Sequence, residues 1–191
     1  MRLHRTLIPI VFILFLLFWP TLVQADYLAG AEAFIFGDYA TALKEWRPVA
    51  EQGDMESQWA MGDLYRFGWG VPQDYGEAVR WYRLAADQGF ADAQFNLGVM
   101  YGHGLGVPQD FAQAREWYLK AADQGDAGTQ NNLGVMYANG QGVPQDDGEA
   151  VRWYRLAAVQ GHATAQNNLG VSYAKARVSF KTMFRPICGP A

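Results

Sequence analysis

The chain has 191 residues, a formal net charge of −4 at pH 7 and hydrophobic residues at half of its positions. This acidic balance argues against a nucleic-acid-binding surface, because phosphates are bound by clustered lysine and arginine. The single cysteine, Cys188, excludes an intramolecular disulfide, so packing alone must hold the fold.

The N-terminus has the three parts of a secretory signal peptide. Arg2 and Arg5 precede an apolar run that ends at Trp19, and Val23-Gln24-Ala25 offers residues that suit a signal peptidase. We therefore predict that residues 1–25 are removed and that the protein is periplasmic or secreted, in a Gram-negative-type cell envelope. A membrane anchor is the alternative, but the run is shorter than the ~20 residues that span a bilayer. We expect no membrane span after cleavage.

Residues 26–53 are predicted to form an irregular first helical hairpin. A short helix runs from Leu28 to Phe36, Gly37 makes the turn, and Asp38 caps a second helix. Aspartate suits this place because its carboxylate accepts hydrogen bonds from the free N–H groups of a helix start.

Residues 54–173 repeat with a period of 36 residues, which is the spacing of Gly62, Gly98, Gly134 and Gly170. Apolar residues fall at helical spacing within each unit, as in Tyr75, Ala78, Val79 and Tyr82. A fixed period of about 20–50 residues is typical of a solenoid built from stacked helical units. The predicted helices lie near 55–67, 75–88, 91–102, 111–124, 127–138 and 147–160.

Two local features recur with the period. Asp74 with Glu77, and its counterparts in the later units, predict capping boxes, in which each side chain bonds the other residue's backbone N–H. Gly98 lies in mid-helix, where glycine costs up to about 1 kcal/mol relative to alanine. Its recurrence predicts that two helix backbones approach closely there.

Three segments follow the pattern A-x-x-x-N-L-G-x-x-Y-x-x-G-x-G-V-P-x-D-x-x-x-A-x-x-W-Y-x-x-A-A-x-x-G, at 60–89, 96–125 and 132–161. The pattern resembles the Sel-one-like repeat, a branch of the tetratricopeptide-like proteins. The resemblance implies an all-α fold, a right-handed α-solenoid of antiparallel helix hairpins. It also implies protein–protein interaction, often as an adaptor or scaffold, with no shared catalytic site.

Positions that share an offset but differ between units do not serve the common fold, so we predict that they bind a partner. In related solenoids the glycine-containing helices line a concave groove, which would take a protein or an extended peptide. The predicted groove residues are Trp59, Asp63, Arg66, Phe95, Val99, Asn131, Val135, Asn167 and Val171. For Trp59 and Phe95, packing against neighbouring helices is an equal alternative.

Three asparagines recur at one offset, Asn96, Asn132 and Asn168. Such a ladder would suit binding of a ligand backbone. We favour the other interpretation, in which the three side chains tie the turns between helices.

Residues that suggest chemistry are few. His103 and His162 have no cysteine or acidic cluster at ligand spacing, which predicts no metal site. Ser172 and Lys175 match the S-x-x-K of penicillin-recognising enzymes, but S-D-N and K-T-G are missing. We therefore predict no catalytic residue, no cofactor and no enzyme activity. The rival hypothesis is a cell-envelope enzyme or a cell-wall glycan-binding module, with Trp59, Phe67 and Trp69 stacking on sugars.

Residues 174–191 form a divergent basic tail without an acidic residue. The repeat pattern stops after Tyr173, so either the last helix covers the end of the solenoid or the array is shortened. Cys188 is interpreted as an incidental thiol, with an intermolecular bridge as the alternative.

Cleavage after Ala25 is testable on protein isolated from the cell envelope. N-terminal sequencing is expected to begin at Asp26, because the apolar run is too short to stay in the bilayer as a span. A sequence that begins at Met1 would instead support the membrane anchor.

Overall fold

The computed structural model describes residues 27–183, with side chains up to Ala176, and this part of the chain is helical without a strand. Residues 1–25 and Cys188, and the predictions made for them, lie outside the described residues. The predicted helices are confirmed to within one residue at their ends. The helices are α1 (27–35), α2 (Tyr39–Glu51), α3 (Met55–Phe67), α4 (Tyr75–Asp87), α5 (Ala91–His103), α6 (Phe111–Asp123), α7 (Ala127–Asn139), α8 (Asp147–Val159) and α9 (Ala163–Met183).

From α2 to α9 each helix packs against the next one in sequence, and the most extensive contacts join α3 with α4, α5 with α6 and α7 with α8. Apolar side chains are buried in clusters along the array, with Met61, Leu97 and Leu133 fully buried at equivalent positions. This arrangement confirms the all-α solenoid. Between residues 27 and 183, no helix is both long enough and apolar enough to cross a membrane.

The helix starts are capped as predicted, but only in one direction. The carboxylate of Asp74 accepts a hydrogen bond from the N–H of Glu77 at 3.0 Å. The prediction of a reciprocal bond from Glu77 is wrong, because the N–H of Asp74 donates instead to the carbonyl of Tyr65 at 2.9 Å. The side chain of Glu77 pairs with Arg80 instead. The backbone of the loop thus satisfies a carbonyl at the end of the preceding helix, where no helical partner is available.

The mid-helix glycines make room for an aromatic ring. A Cβ atom added to Gly98 would lie closer than 3.0 Å to the ring of Tyr118, on the next helix. Gly62 meets Tyr82 and Gly134 meets Tyr154 in the same way. The prediction of a close approach at these glycines is therefore confirmed. The prediction that a second helix backbone makes this approach is wrong, because a tyrosine ring fills the space.

A row of glutamines joins consecutive units. The Nε2 of Gln124 donates to the Oε1 of Gln94 at 2.9 Å, and Gln94 itself is buried and donates to the carbonyl of Ala86 at 3.1 Å. Two further pairs repeat the contact, Gln88 with Gln58 and Gln160 with Gln130. Because an unpaired buried amide is costly, these bonds fix how each unit sits on the next.

The last described helix is longer than the others, with 21 residues against 13. In the preceding units a glycine with positive φ ends the helix, for example Gly104 at 68°. Ala176 occupies the equivalent position and α9 continues past it. A Cβ added to Gly170 has no atom of the described residues within 4 Å, whereas in the earlier units a tyrosine ring lies there.

Substitution of Gly98 by alanine tests the ring contact. Gly98→Ala is expected to lower the free energy of unfolding by about 1–3 kcal/mol, because the added methyl overlaps the Tyr118 ring. Gly170→Ala is the matched control at the same offset and is expected to be neutral, or stabilising by up to ~1 kcal/mol from helix propensity. Urea denaturation of both variants makes the comparison. Equal effects of the two substitutions would contradict the contact.

Candidate functional site

The nine predicted groove residues lie on α3, α5, α7 and α9, and we call this side of the array the groove face. Asn167 and Val171, near the C-terminal end, are exposed. Asn131 is buried, and the other six side chains are half-buried. The groove face therefore combines accessible positions with positions that also serve contacts between helices.

The two aromatic residues of the set pack against neighbouring helices, which was the alternative for them. Trp59 meets the ring of Phe90 edge-on, with centroids 5.9 Å apart. Phe95 packs against Tyr118, with centroids 6.1 Å apart, and against the apolar cluster around Leu133. Their removal is therefore expected to cost folding stability, whatever role they have in binding.

Asp63 and Arg66 belong to a polar cluster between α3, α4 and α5. The hydroxyl of Tyr82 donates to the carboxylate of Asp63 at 2.5 Å. The Nη1 of Arg66 donates to the Oδ1 of Asn96 at 3.0 Å, and its guanidinium lies 4.9 Å from the ring centre of Phe67. Burial raises the pKa of the Asp63 carboxyl, although the Tyr82 hydroxyl and the Arg66 charge oppose the shift.

The three asparagines at one offset, Asn96, Asn132 and Asn168, make contacts between helices and do not bond the turns. Asn96 accepts the bond from Arg66, and the Nδ2 of Asn168 donates to the Oδ1 of Asn131 at 3.0 Å. The amide of Asn132 lies beside the hydroxyl of Tyr118, whose pKa burial raises to about 12. The prediction that these asparagines tie the inter-helix turns is wrong, because their amides face the neighbouring units.

A cavity of about 310 Å³ lies between α5, α6 and α7, beside the groove-face residue Val135. Its lining includes Gly102, His103, Tyr118, Asn132, Val135 and Asn139. The set of groove residues contains only Val135 of these. The sequence signal for the cavity was the offset shared by Arg66, Gly102 and Ala138. The long side chain of Arg66 is replaced there by a hydrogen atom in Gly102 and by a methyl group in Ala138. Sequence reasoning missed it because glycine offers no side chain to assign.

The residues that suggested chemistry are engaged in structural contacts. The hydroxyl of Ser172 donates to the carbonyl of Asn168 at 2.8 Å, and Lys175 pairs with Asp147 at 3.0 Å. Trp69 stacks between Phe67 and Tyr39, with centroids 4.5 Å and 5.7 Å away. Within the described part of the chain, no group of histidine, cysteine and acidic side chains is placed to hold a metal.

The raised pKa of Asp63 predicts a pH-dependent effect of Asp63→Asn. The pKa of Asp63 is higher in the folded state than in the unfolded state. The contribution of Asp63 to the free energy of unfolding therefore falls as the pH rises through the folded-state pKa, and it is restored as the pH falls. The amide does not titrate. The free energy of unfolding of the wild type, minus that of the variant, is therefore expected to increase from about pH 7 to about pH 3.

Urea denaturation at the two pH values measures this difference. Asp123→Asn removes a carboxylate at an exposed position of α6 and is the matched control, with a smaller expected change. A difference that stays constant, or that falls on acidification, would contradict the assignment of burial as the dominant cause.

Comparison with known proteins places the repeat in a family. The Sel1 repeat model matches residues 56–90, 91–126 and 127–162, more than half of the chain. A comparison with curated protein sequences gave no match.

Among solved structures, the chain is similar to c5321, described as a protective antigen of uropathogenic Escherichia coli with an SLR fold. The identity is 36% and the TM-score 0.78, over 83% of this chain and 35% of that one. A Sel1 repeat protein from Oxalobacter formigenes is 35% identical with a TM-score of 0.73, over 78% and 62%. Cysteine rich protein B of Helicobacter pylori shares the fold at 21% identity and a TM-score of 0.53, over 67% and 92%.

The chain thus spans less than two thirds of the first two proteins it resembles. The matched segments coincide with the helices that carry the glycine–tyrosine contacts described above. The chain belongs to the Sel1 repeat family.

Proposed function

We propose that this protein is exported and that it binds another protein, or an extended peptide, in the groove face, as an adaptor or scaffold. Sel1 repeat proteins generally mediate protein–protein interaction and are generally non-enzymatic modules. The observation that carries the proposal for this chain is the variation on the groove face. Positions that hold the fold repeat, as Leu97 and Leu133 do, while the offset of Trp59 carries Phe95, Asn131 and Asn167 in the later units.

The character of the groove face supports a peptide-like partner. Val171 is 60% exposed on α9, and the neighbouring Asn167 is exposed as well. An apolar side chain beside an exposed amide can pack against a partner side chain and bond its backbone. Farther towards the N-terminus, burial and the charge of Asp126 raise the pKa of Asp92. The accumulated negative charge in this region favours a basic partner.

The contacts of the aromatic residues argue for this proposal over the glycan-binding rival. Sugar stacking requires aromatic faces that are free. Trp59 is packed against Phe90, and Trp69 lies between two other rings, which leaves Phe67 as the most exposed of the three predicted stacking residues.

Capture from an envelope fraction tests the proposal. We expect the chain without residues 1–25 to retain a specific protein, identified by mass spectrometry, and Val171→Asp to weaken this capture because it places a charge on the groove face. Val159→Asp, at a residue of α8 that is 77% exposed, is the matched control and should capture normally. Both variants are expected to keep the melting temperature of the wild type.

Capture that both variants retain equally would place the binding surface elsewhere. Retention on purified cell-wall polymer in place of a protein would favour the glycan-binding module.

A further inference from the structure

The cavity beside Gly102 has a counterpart one unit earlier, and that counterpart is filled. Arg66 lies 36 residues before Gly102, Tyr82 before Tyr118, and Asn96 before Asn132. In the earlier unit the guanidinium of Arg66 bonds Asn96 and lies next to the Tyr82 hydroxyl. In the later unit the tyrosine and the asparagine remain and line the empty space.

The missing side chain accounts for the cavity. A Cβ added to Gly102 would lie 3.7 Å from the Cβ of Ala114 and 4.0 Å from the Tyr118 hydroxyl, which are ordinary contacts. A side chain at this position would thus enter the cavity without a clash. His103 takes the place of Phe67, whose ring contacts the Arg66 guanidinium.

We infer that the Gly102 cavity receives an arginine side chain from a bound protein or peptide, in the position that Arg66 occupies one unit earlier. The Oδ1 of Asn132 accepts from the guanidinium, as Asn96 does from Arg66. This inference deepens the proposed function, since it names a side chain that the partner presents to the groove face.

The features of the cavity fit this occupant. Its volume of about 310 Å³ is at the lower end of the range for ligand pockets, which suits one long side chain. His103, Gln109 and Asn139 are exposed lining residues, so the cavity is reached from solvent. The hydrogen-bond partner of Arg66 is a neutral amide 3.0 Å away, so replacement of Asp63 by Val99 leaves the bonding acceptor in place. None of the lining residues is acidic, so the oxygens of Tyr118, Asn132 and Asn139 are acceptors that the cavity offers to a guanidinium.

The test is a titration of the full chain, labelled with nitrogen-15, with N-acetyl-arginine amide followed by nuclear magnetic resonance. Millimolar binding is expected, with shifts concentrated at Gly102, Tyr118 and Asn132. The citrulline analogue has the same shape without the charge and is expected to bind about tenfold more weakly. Gly102→Arg fills the cavity from within and is expected to abolish the shifts.

Ala138→Arg adds the same charge at the same offset one unit later, and should leave the titration unchanged. Failure of the wild type to respond, shifts that lie elsewhere, or equal binding of the citrulline analogue would each overturn the inference. The proposed function fails separately: if Val171→Asp captures the partner normally while the arginine amide still binds at Gly102, the groove-face proposal falls and the cavity stands. If a protein is captured and Val171→Asp weakens that capture, while the arginine amide causes no shifts at Gly102, the groove-face proposal stands and the cavity inference falls.

Discussion

The contact between a mid-helix glycine and a tyrosine ring sets how the helices from α3 to α8 pack on one another. Gly98 gives up about 1 kcal/mol of helix propensity relative to alanine, yet it lets the ring of Tyr118 lie directly on the helix. Burial of a large apolar side chain contributes about 1.5–3 kcal/mol, so packing outweighs propensity at this position. Each repetition places the next helix at the same distance, which gives a regular solenoid.

The glutamine row solves a second problem that this close packing creates. When units stack, the last carbonyls of α4 and α6 are covered by the following unit, and a covered carbonyl needs a donor. Gln94 bonds the carbonyl of Ala86 while its own oxygen accepts from Gln124. One residue thus closes a helix end and joins two units, so the orientation between units is fixed by polar bonds as well as by apolar contact.

Local signals predicted the helices, while contacts between units were beyond the sequence. Helical spacing and aspartate caps act within a few residues, which is why the predicted ends agree with the structure. Asn96, by contrast, is bonded by Arg66, 30 residues away. Such a partner depends on the stacking distance, and pattern alone gave the wrong role for the asparagines. The roles of Trp59 and Phe95 could not be predicted for the same reason. A shared offset shows that the residue differs between units, but it does not show whether another helix covers its side chain.

The glycine–tyrosine contact recurs in three successive units while the residue at the offset of Arg66 changes, and this combination makes the Gly102 cavity possible. Solenoid stability is close to a sum over units and their interfaces, so loss of one side chain is felt mainly within its own unit. Arg66, Gly102 and Ala138 occupy one offset, yet Tyr82, Tyr118 and Tyr154 keep the same contact with their glycines. The scaffold therefore tolerates a change from filled to empty at this offset, and a binding site arises where a side chain has been left out.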